Sequence, residues 1–217
     1  MDNKYNIAED LYVRGQYADA LDLFVSIDIR DEAVENYIGC CYINLKEYEK
    51  AKNVFSKLIA ENSNYNRAYY NLGRIYLVEK DIEKALCYFT AALKIDDTDP
   101  DAYFYMGVFY EKQNEYLKAI DFYQKAINLN STDVEPYISL SACYFAIDQY
   151  DKALIEAEKA YDIIPNDSDV VFNLSSIYIQ MKEYSRAINL LQNHKDLLND
   201  SELVRQLSYC KKKLGIG

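Results

Sequence analysis

Residues Asn66–Asp99, NRAYYNLGRIYLVEKDIEKALCYFTAALKIDDTD, are followed by Pro100–Asp133, PDAYFYMGVFYEKQNEYLKAIDFYQKAINLNSTD, and the second stretch repeats the first at a spacing of 34 residues. Gly73 and Gly107 align, and the same spacing reaches back to Gly39 and forward to Ser141 and Ser175. A tyrosine follows each of these small residues three positions on, at Tyr42, Tyr76, Tyr110, Tyr144 and Tyr178. A second signature, a large residue followed three later by alanine, recurs at Tyr17/Ala20, Tyr48/Ala51, Ile82/Ala85, Tyr116/Ala119, Tyr150/Ala153 and Tyr184/Ala187. Such a period points to stacked helix pairs, in which no unit buries its apolar face alone.

Packing explains the residue types. Two antiparallel helices approach closely only where one side chain is small and a large neighbour fills the adjoining groove. The Gly/Ser ladder takes that role on the first helix of each pair. On the second helix it falls to the alanines, with Phe24, Phe55, Phe89 and Tyr123 one turn later as large partners. Ala157 and Leu191 continue that position with smaller side chains, so different packing is expected there. With only 6 Gly and 3 Pro in 217 residues, long helices with short turns are favoured over a loop-rich β fold.

Composition excludes several classes of function. Half of the residues are hydrophobic and 27% are charged, enough for a substantial core. Acidic residues outnumber basic ones 35 to 24, which argues against gathering around nucleic-acid phosphates. The start, MDNKYNIAEDLYVRG, lacks a basic head and apolar core, and no apolar run is long enough to span a bilayer, so neither export nor membrane insertion is expected. Cys40, Cys41, Cys87, Cys143 and Cys210 form no CxxC pair, which fits a reducing, cytoplasmic setting. No phosphate-binding glycine loop, HExxH or GxSxG occurs, so no catalytic residue, cofactor or metal is expected. Cys40 and Cys41 read as structural, Glu156 and Glu158 as solvated surface, and His194, the sole histidine, as repeat packing.

These residues resemble the tetratricopeptide repeat family. Tyr69 and Tyr103 stand where the family often has tryptophan, Leu72-Gly73 and Met106-Gly107 match its Leu-Gly pair, and Ala92 and Ala126 match its final small residue. The resemblance implies an all-α fold, a right-handed superhelical solenoid of six antiparallel helix pairs plus a C-terminal capping helix. The chain reads as a single array over 1–217, with repeats at about 1–31, 32–65, 66–99, 100–133, 134–167 and 168–201 and a capping helix at about 201–213. The expected pairs are 2–14 with 17–28, 33–45 with 48–61, 67–79 with 82–95, 101–113 with 116–129, 135–147 with 150–163, and 169–181 with 184–198. Departures fall at the ends: Lys4 and Ala8 replace the aromatic and glycine of the first unit, and His194 replaces the final alanine of the sixth. The last helix is expected to turn Leu203, Leu207, Cys210 and Leu214 inward, leaving Lys211, Lys212 and Lys213 as a solvated end that suits the helix dipole.

In the resembled family the first helices line a concave groove, with ligand contacts at their second, fifth, ninth, twelfth and thirteenth positions. Carried onto this chain, the fifth-position set is Asn36, Tyr70, Phe104, Ile138 and Phe172, and the ninth is Cys40, Arg74, Val108, Ala142 and Ser176. Leu77, Val78, Phe145 and Ile179 lengthen the apolar stripe, and Asp101, Glu111, Glu135 and Asp169 form an acidic margin. The resemblance thus implies a non-enzymatic scaffold or adaptor whose partner is a protein or peptide with apolar anchors and basic flanks. A basic clamp for a terminal carboxylate is disfavoured, because Cys40, Tyr70, Phe104 and Val108 occupy its positions; only Arg74, with Arg67 and Asn71, offers a place for a carboxylate. The alternative is a self-association module, forming a structural homo-oligomer through the stripe or an uncapped end.

Overall fold

The structure, a computed structural model, describes residues 3–197 and 199–216. Six helix pairs follow one another: α1 (Asn3–Val13) with α2 (Tyr17–Val25), α3 (Glu32–Asn44) with α4 (Tyr48–Glu61), and α5 (Asn66–Val78) with α6 (Ile82–Ile95). They continue as α7 (Pro100–Lys112) with α8 (Tyr116–Leu129), α9 (Glu135–Ala146) with α10 (Tyr150–Ile163), and α11 (Ser168–Gln180) with α12 (Tyr184–Asn193). A 3-10 turn at Lys195–Leu197 leads to α13 (Ser201–Leu214). Among the described residues the fold is all-α, and no helix is long and apolar enough to cross a membrane. The chain divides into two compact units, 1–106 and 107–217, the division falling inside α7.

From α3 to α11 each helix lies within one residue of its expected span, and the differences fall at the ends. The expected start at residue 2 and end at residue 198 lie outside the described residues. α2 stops at Val25 rather than continuing to 28, where the Ser26 hydroxyl donates to the Leu23 carbonyl (2.8 Å) and competes with the helical ladder. α12 stops at Asn193. His194 then lies edge-on to Tyr161, with its Nε2 hydrogen-bonded to the Tyr161 hydroxyl (2.7 Å), which accommodates a bulky ring at a position that alanine holds elsewhere. In α13 Leu203 and Cys210 are buried and Leu207 is half-buried, but Leu214 is exposed because it lies in the last turn, beyond the helices that cover the others.

Each pair is joined at the same point. A residue on the first helix is matched by one 16 positions later on the second, Ala8 and Phe24, Gly39 and Phe55, Gly73 and Phe89, Gly107 and Tyr123, Ser141 and Ala157, Ser175 and Leu191, all buried. A Cβ built at Gly39, Gly73 or Gly107 would lie 2.4, 2.7 or 2.5 Å from the ring of Phe55, Phe89 or Tyr123, closer than any real contact. Where the ladder carries serine, the opposing residue is smaller. The Ser141 hydroxyl is within 2.9 Å of the Ala153 carbonyl, so it is satisfied against the second helix without water.

The turn inside each pair is also copied. Lys46, Lys80, Asn114, Asp148 and Lys182, spaced by 34, adopt left-handed φ values of +62, +63, +59, +59 and +63°. The following N–H returns to the carbonyl of the ladder tyrosine, at 2.8 Å for Glu47 to Tyr42 and 2.9 Å for Asp81 to Tyr76, closing a Schellman-type end. The same tyrosine is covered by a cation from the second helix. Lys50, Lys84, Lys118, Lys152 and Arg186 stand 5.4, 5.0, 5.0, 5.4 and 4.3 Å from the ring centroids of Tyr42, Tyr76, Tyr110, Tyr144 and Tyr178. At exposed sites such a contact contributes about 0.5–1 kcal/mol.

Two stability changes of opposite sign follow from this packing. Gly107→Trp should wedge α7 from α8 and lower stability by at least about 3 kcal/mol, seen as a collapse of the thermal midpoint; a normal midpoint would sink the close-approach assignment. Lys80→Gly should raise stability by about 1 kcal/mol in urea unfolding, since it relieves a left-handed lysine at an exposed turn.

Candidate peptide-binding faces

In the first unit the expected site residues come from α3, α5 and the start of α7. Tyr70 is only 5% exposed: its ring stacks on Tyr105 with centroids 5.2 Å apart, and its hydroxyl donates to Asp101 Oδ2 (3.1 Å). Asn36 is buried as well. Its Oδ1 accepts from Asn71 Nδ2 (3.0 Å) and its Nδ2 donates to Cys40 Sγ (3.9 Å). Both are buried in contacts between helices, each with a partner on the next first helix. Phe104 is half-buried, edge-on to Tyr105. Arg74 is half-buried, its guanidinium 4.5 Å above the Tyr105 ring and donating to Asn71 Oδ1 (2.8 Å), and it makes no ion pair among the described residues.

Asn71 and Tyr105 are thus the two residues that organise this face. Neither belongs to the fifth or ninth position, and neither was singled out as a contact; Asn71 was noted only beside Arg74. Burial pushes the thiols of Cys40 and Cys41 up, that of Cys41 to about 12 with Cys40 adding to the effect, so neither is a thiolate near neutral pH.

In the second unit the stripe is more open. Phe172 on α11 is 40% exposed, and Ala142 and Ala146 on α9 are exposed. Ile138 packs in part against the cluster of Tyr137, Ala160 and Val170, Val108 is half-buried, and Phe145 lies edge-on to Tyr150 at 5.4 Å. A cleft of about 270 Å³ opens between α11 and α13, lined by Ser176, Ile179, Arg205, Gln206 and Tyr209. Gln206 Nε2 donates to Ser176 Oγ (2.7 Å) there. The α13 contribution was missed, because that helix reads as a cap in the sequence.

The acidic margin of this unit is smaller than expected. Glu111 leaves it, since its Oε2 accepts from the buried Tyr123 hydroxyl (2.5 Å). Glu135 and Asp169 remain exposed at the starts of α9 and α11, where a carboxylate also suits the helix dipole. Asp167 caps α11 by accepting from the backbone of Asp169 (2.9 Å) and Val170 (3.1 Å). Although the residue as a whole is exposed, partial burial of the Glu135 carboxyl among its neighbours, then the charges of Asp133, Asp169 and Asp167, push that carboxyl above the usual range.

Serial antiparallel helix pairs, without strands among the described residues and with a glycine set against an aromatic ring in three successive pairs, define a helical-repeat protein of the kind built for protein–protein interaction. Matches to the tetratricopeptide repeat family cover residues 41–100, 100–133 and 171–205, together more than half of the chain, and the chain belongs to that family. No curated protein matches in sequence. Among solved structures, a thermophilic TPR protein of Thermus thermophilus is 21% identical over 82% of this chain and 98% of its own, with a TM-score of 0.74. PilW, a widely conserved type IV pilus biogenesis factor, is 14% identical over 87% and 89%, with a TM-score of 0.75. YrrB, a TPR protein with an unusual peptide-binding site, is 21% identical over 90% and 97%, with a TM-score of 0.61. At these identities the likeness is one of fold.

Glu135→Gln provides a test of the acidic cluster. A carboxyl with a raised folded-state value favours the folded chain below its unfolded value, near 4.3, and loses that advantage as pH rises. The amide should therefore stabilise the chain slightly at pH 7, by less than about 1 kcal/mol at this exposed site, and the gain should vanish by about pH 4. Thermal unfolding across that range measures it, and a difference that does not change with pH would refute the electrostatic origin.

Proposed function

We propose that the protein is a non-enzymatic scaffold or adaptor, cytoplasmic, that binds a partner peptide along the first-helix faces. The ligand presents apolar anchors to the second unit, with basic flanks toward Glu135 and Asp169. The observation that carries this reading is Phe172, an aromatic side chain left 40% exposed on a first helix of a well-packed pair. Alanines at 142 and 146 leave room on α9 for an incoming side chain. The peptide-binding site of YrrB supports the assignment by analogy of fold. The first unit, taken by itself, offers a second place for a ligand: Arg74, supported by Asn71 and Tyr105, is a cation that no described carboxylate has taken.

The test is selection of peptides from a displayed library on the full chain, followed by titration. Selected sequences should carry aromatic or aliphatic anchors beside Lys or Arg. Phe172→Ala combined with Phe145→Ala should weaken the best peptide about tenfold or more while leaving thermal unfolding cooperative. Unchanged affinity would remove the stripe from the binding site, and a wild-type mass that grows with concentration in the absence of peptide would favour self-association instead.

A further inference from the structure

α13 packs on α11 and α12 as α11 packs on α9 and α10, in the position of a further first helix. With a shift of 33 residues, Leu203, Leu207 and Cys210 fall on Val170, Leu174 and Ile177, matching an inward face with an inward face. The same shift sets Val204, Ser208 and Lys211 on Val171, Ser175 and Tyr178. Those three residues of α11 are buried, and the Tyr178 ring lies under Arg186 of α12, its second helix. On α13 Val204 is 44% exposed and Ser208 is exposed. Ser208 thus continues the small-residue ladder onto a helix that no second helix covers among the described residues.

We propose that this outward face of α13 takes an acidic amphipathic helix from a partner protein, which docks where the preceding first helices receive their second helix. Shape and charge both specify the occupant. Ser208 leaves the close approach that elsewhere receives a side chain 16 positions on, so the partner needs a large apolar residue there. Exposed Leu214 and Ile216 extend the apolar surface toward the helix end. Lys211 lies in the face and Lys212 flanks it, and neither makes an ion pair among the described residues. This cationic rim repels the same face of a second copy and attracts acidic side chains. The inference goes beyond the groove: the two surfaces lie on different faces of their helices and bind different ligands.

Fluorescence anisotropy with the full chain tests it. The probe is a labelled 16-residue synthetic helix carrying the Tyr-x-x-Ala-x-x-x-Phe pattern of the second helices, with Glu at the outward positions. It should bind, and a version with Lys in place of Glu should bind at least about tenfold more weakly. Ser208→Trp should cost at least about tenfold by blocking the close approach, whereas Ser208→Ala should bind as wild type. Ser208 is exposed, so both variants should melt as wild type does. Phe172→Ala should leave this affinity unchanged, which separates failure here from failure of the groove. Equal binding of the two peptides, or no effect of Ser208→Trp, would overturn the proposal. So would self-association abolished by Ser208→Trp, which would make the occupant a second copy, or capture by anionic phospholipid vesicles in preference to the peptide, which would make it a lipid surface.

Discussion

The structure depends on one contact, the approach of a small residue on each first helix to the side chain 16 positions later on its partner. At Gly39, Gly73 and Gly107 the opposing ring sits where a Cβ would be, so helix separation is set by the absence of a single carbon. The serine pairs reach the same result from the other direction. Ser141 and Ser175 add volume to the first helix, and Ala157 and Leu191 remove it from the second. Volume is traded across the Ser175/Leu191 contact, whereas Ser141 and Ala157 are both small and the Ser141 hydroxyl reaches the second helix through the Ala153 carbonyl instead.

That contact sets a distance, and the turn and the tyrosine set the angle. Five non-glycine residues in the left-handed region each cost of the order of 1 kcal/mol, and each is held by a backbone hydrogen bond back to the ladder tyrosine. The cation from the second helix then lies over the same ring, so one side chain takes part in both the turn and the helix pairing. This separates what was legible in the sequence from what was not. Close packing leaves a record in residue size, and the Gly/Ser ladder reports it directly. Backbone strain leaves none, because Lys46, Lys80 and Lys182 are ordinary surface residues until the fold around them dictates φ. The early end of α2 was hidden for a similar reason: it turns on one serine hydroxyl choosing a carbonyl three residues back.

The candidate site was legible only as a face. Position in the first helix tells which side chains point toward the groove, but not which are consumed by the neighbouring first helix. Tyr70 and Asn36 are consumed, because Asp101, Tyr105 and Asn71 offer them stacking and hydrogen bonds. Phe172 is left out because the corresponding residue of α13, Gln206, has already bonded to Ser175 and Ser176. A fifth-position side chain is therefore available to a ligand when the next helix has nothing to give it, a property of two repeats together that a single repeat's motif does not encode. The same reasoning explains α13, whose register is one residue short of the ladder and so escapes a scan at a fixed period.

The first unit illustrates how consumption at the seam can prepare a charge rather than waste it. Two other cations near it in sequence are spoken for: Lys52 reaches both Glu49 and Glu79, and Lys84 pairs with Asp81. Arg74 instead rests on an amide oxygen and an aromatic ring, groups that hold a guanidinium in place without neutralising it. An incoming carboxylate then displaces no intramolecular anion, and the arginine pays little of the rotamer entropy that a free surface side chain would lose. In a chain where acids outnumber bases 35 to 24, keeping a half-buried arginine clear of carboxylates depends on its neighbours being Asn71 and Tyr105. Replacing Asn71 with Asp would retain the shape and cancel the charge, so it is the neutrality of this amide, as much as its position, that leaves Arg74 uncompensated.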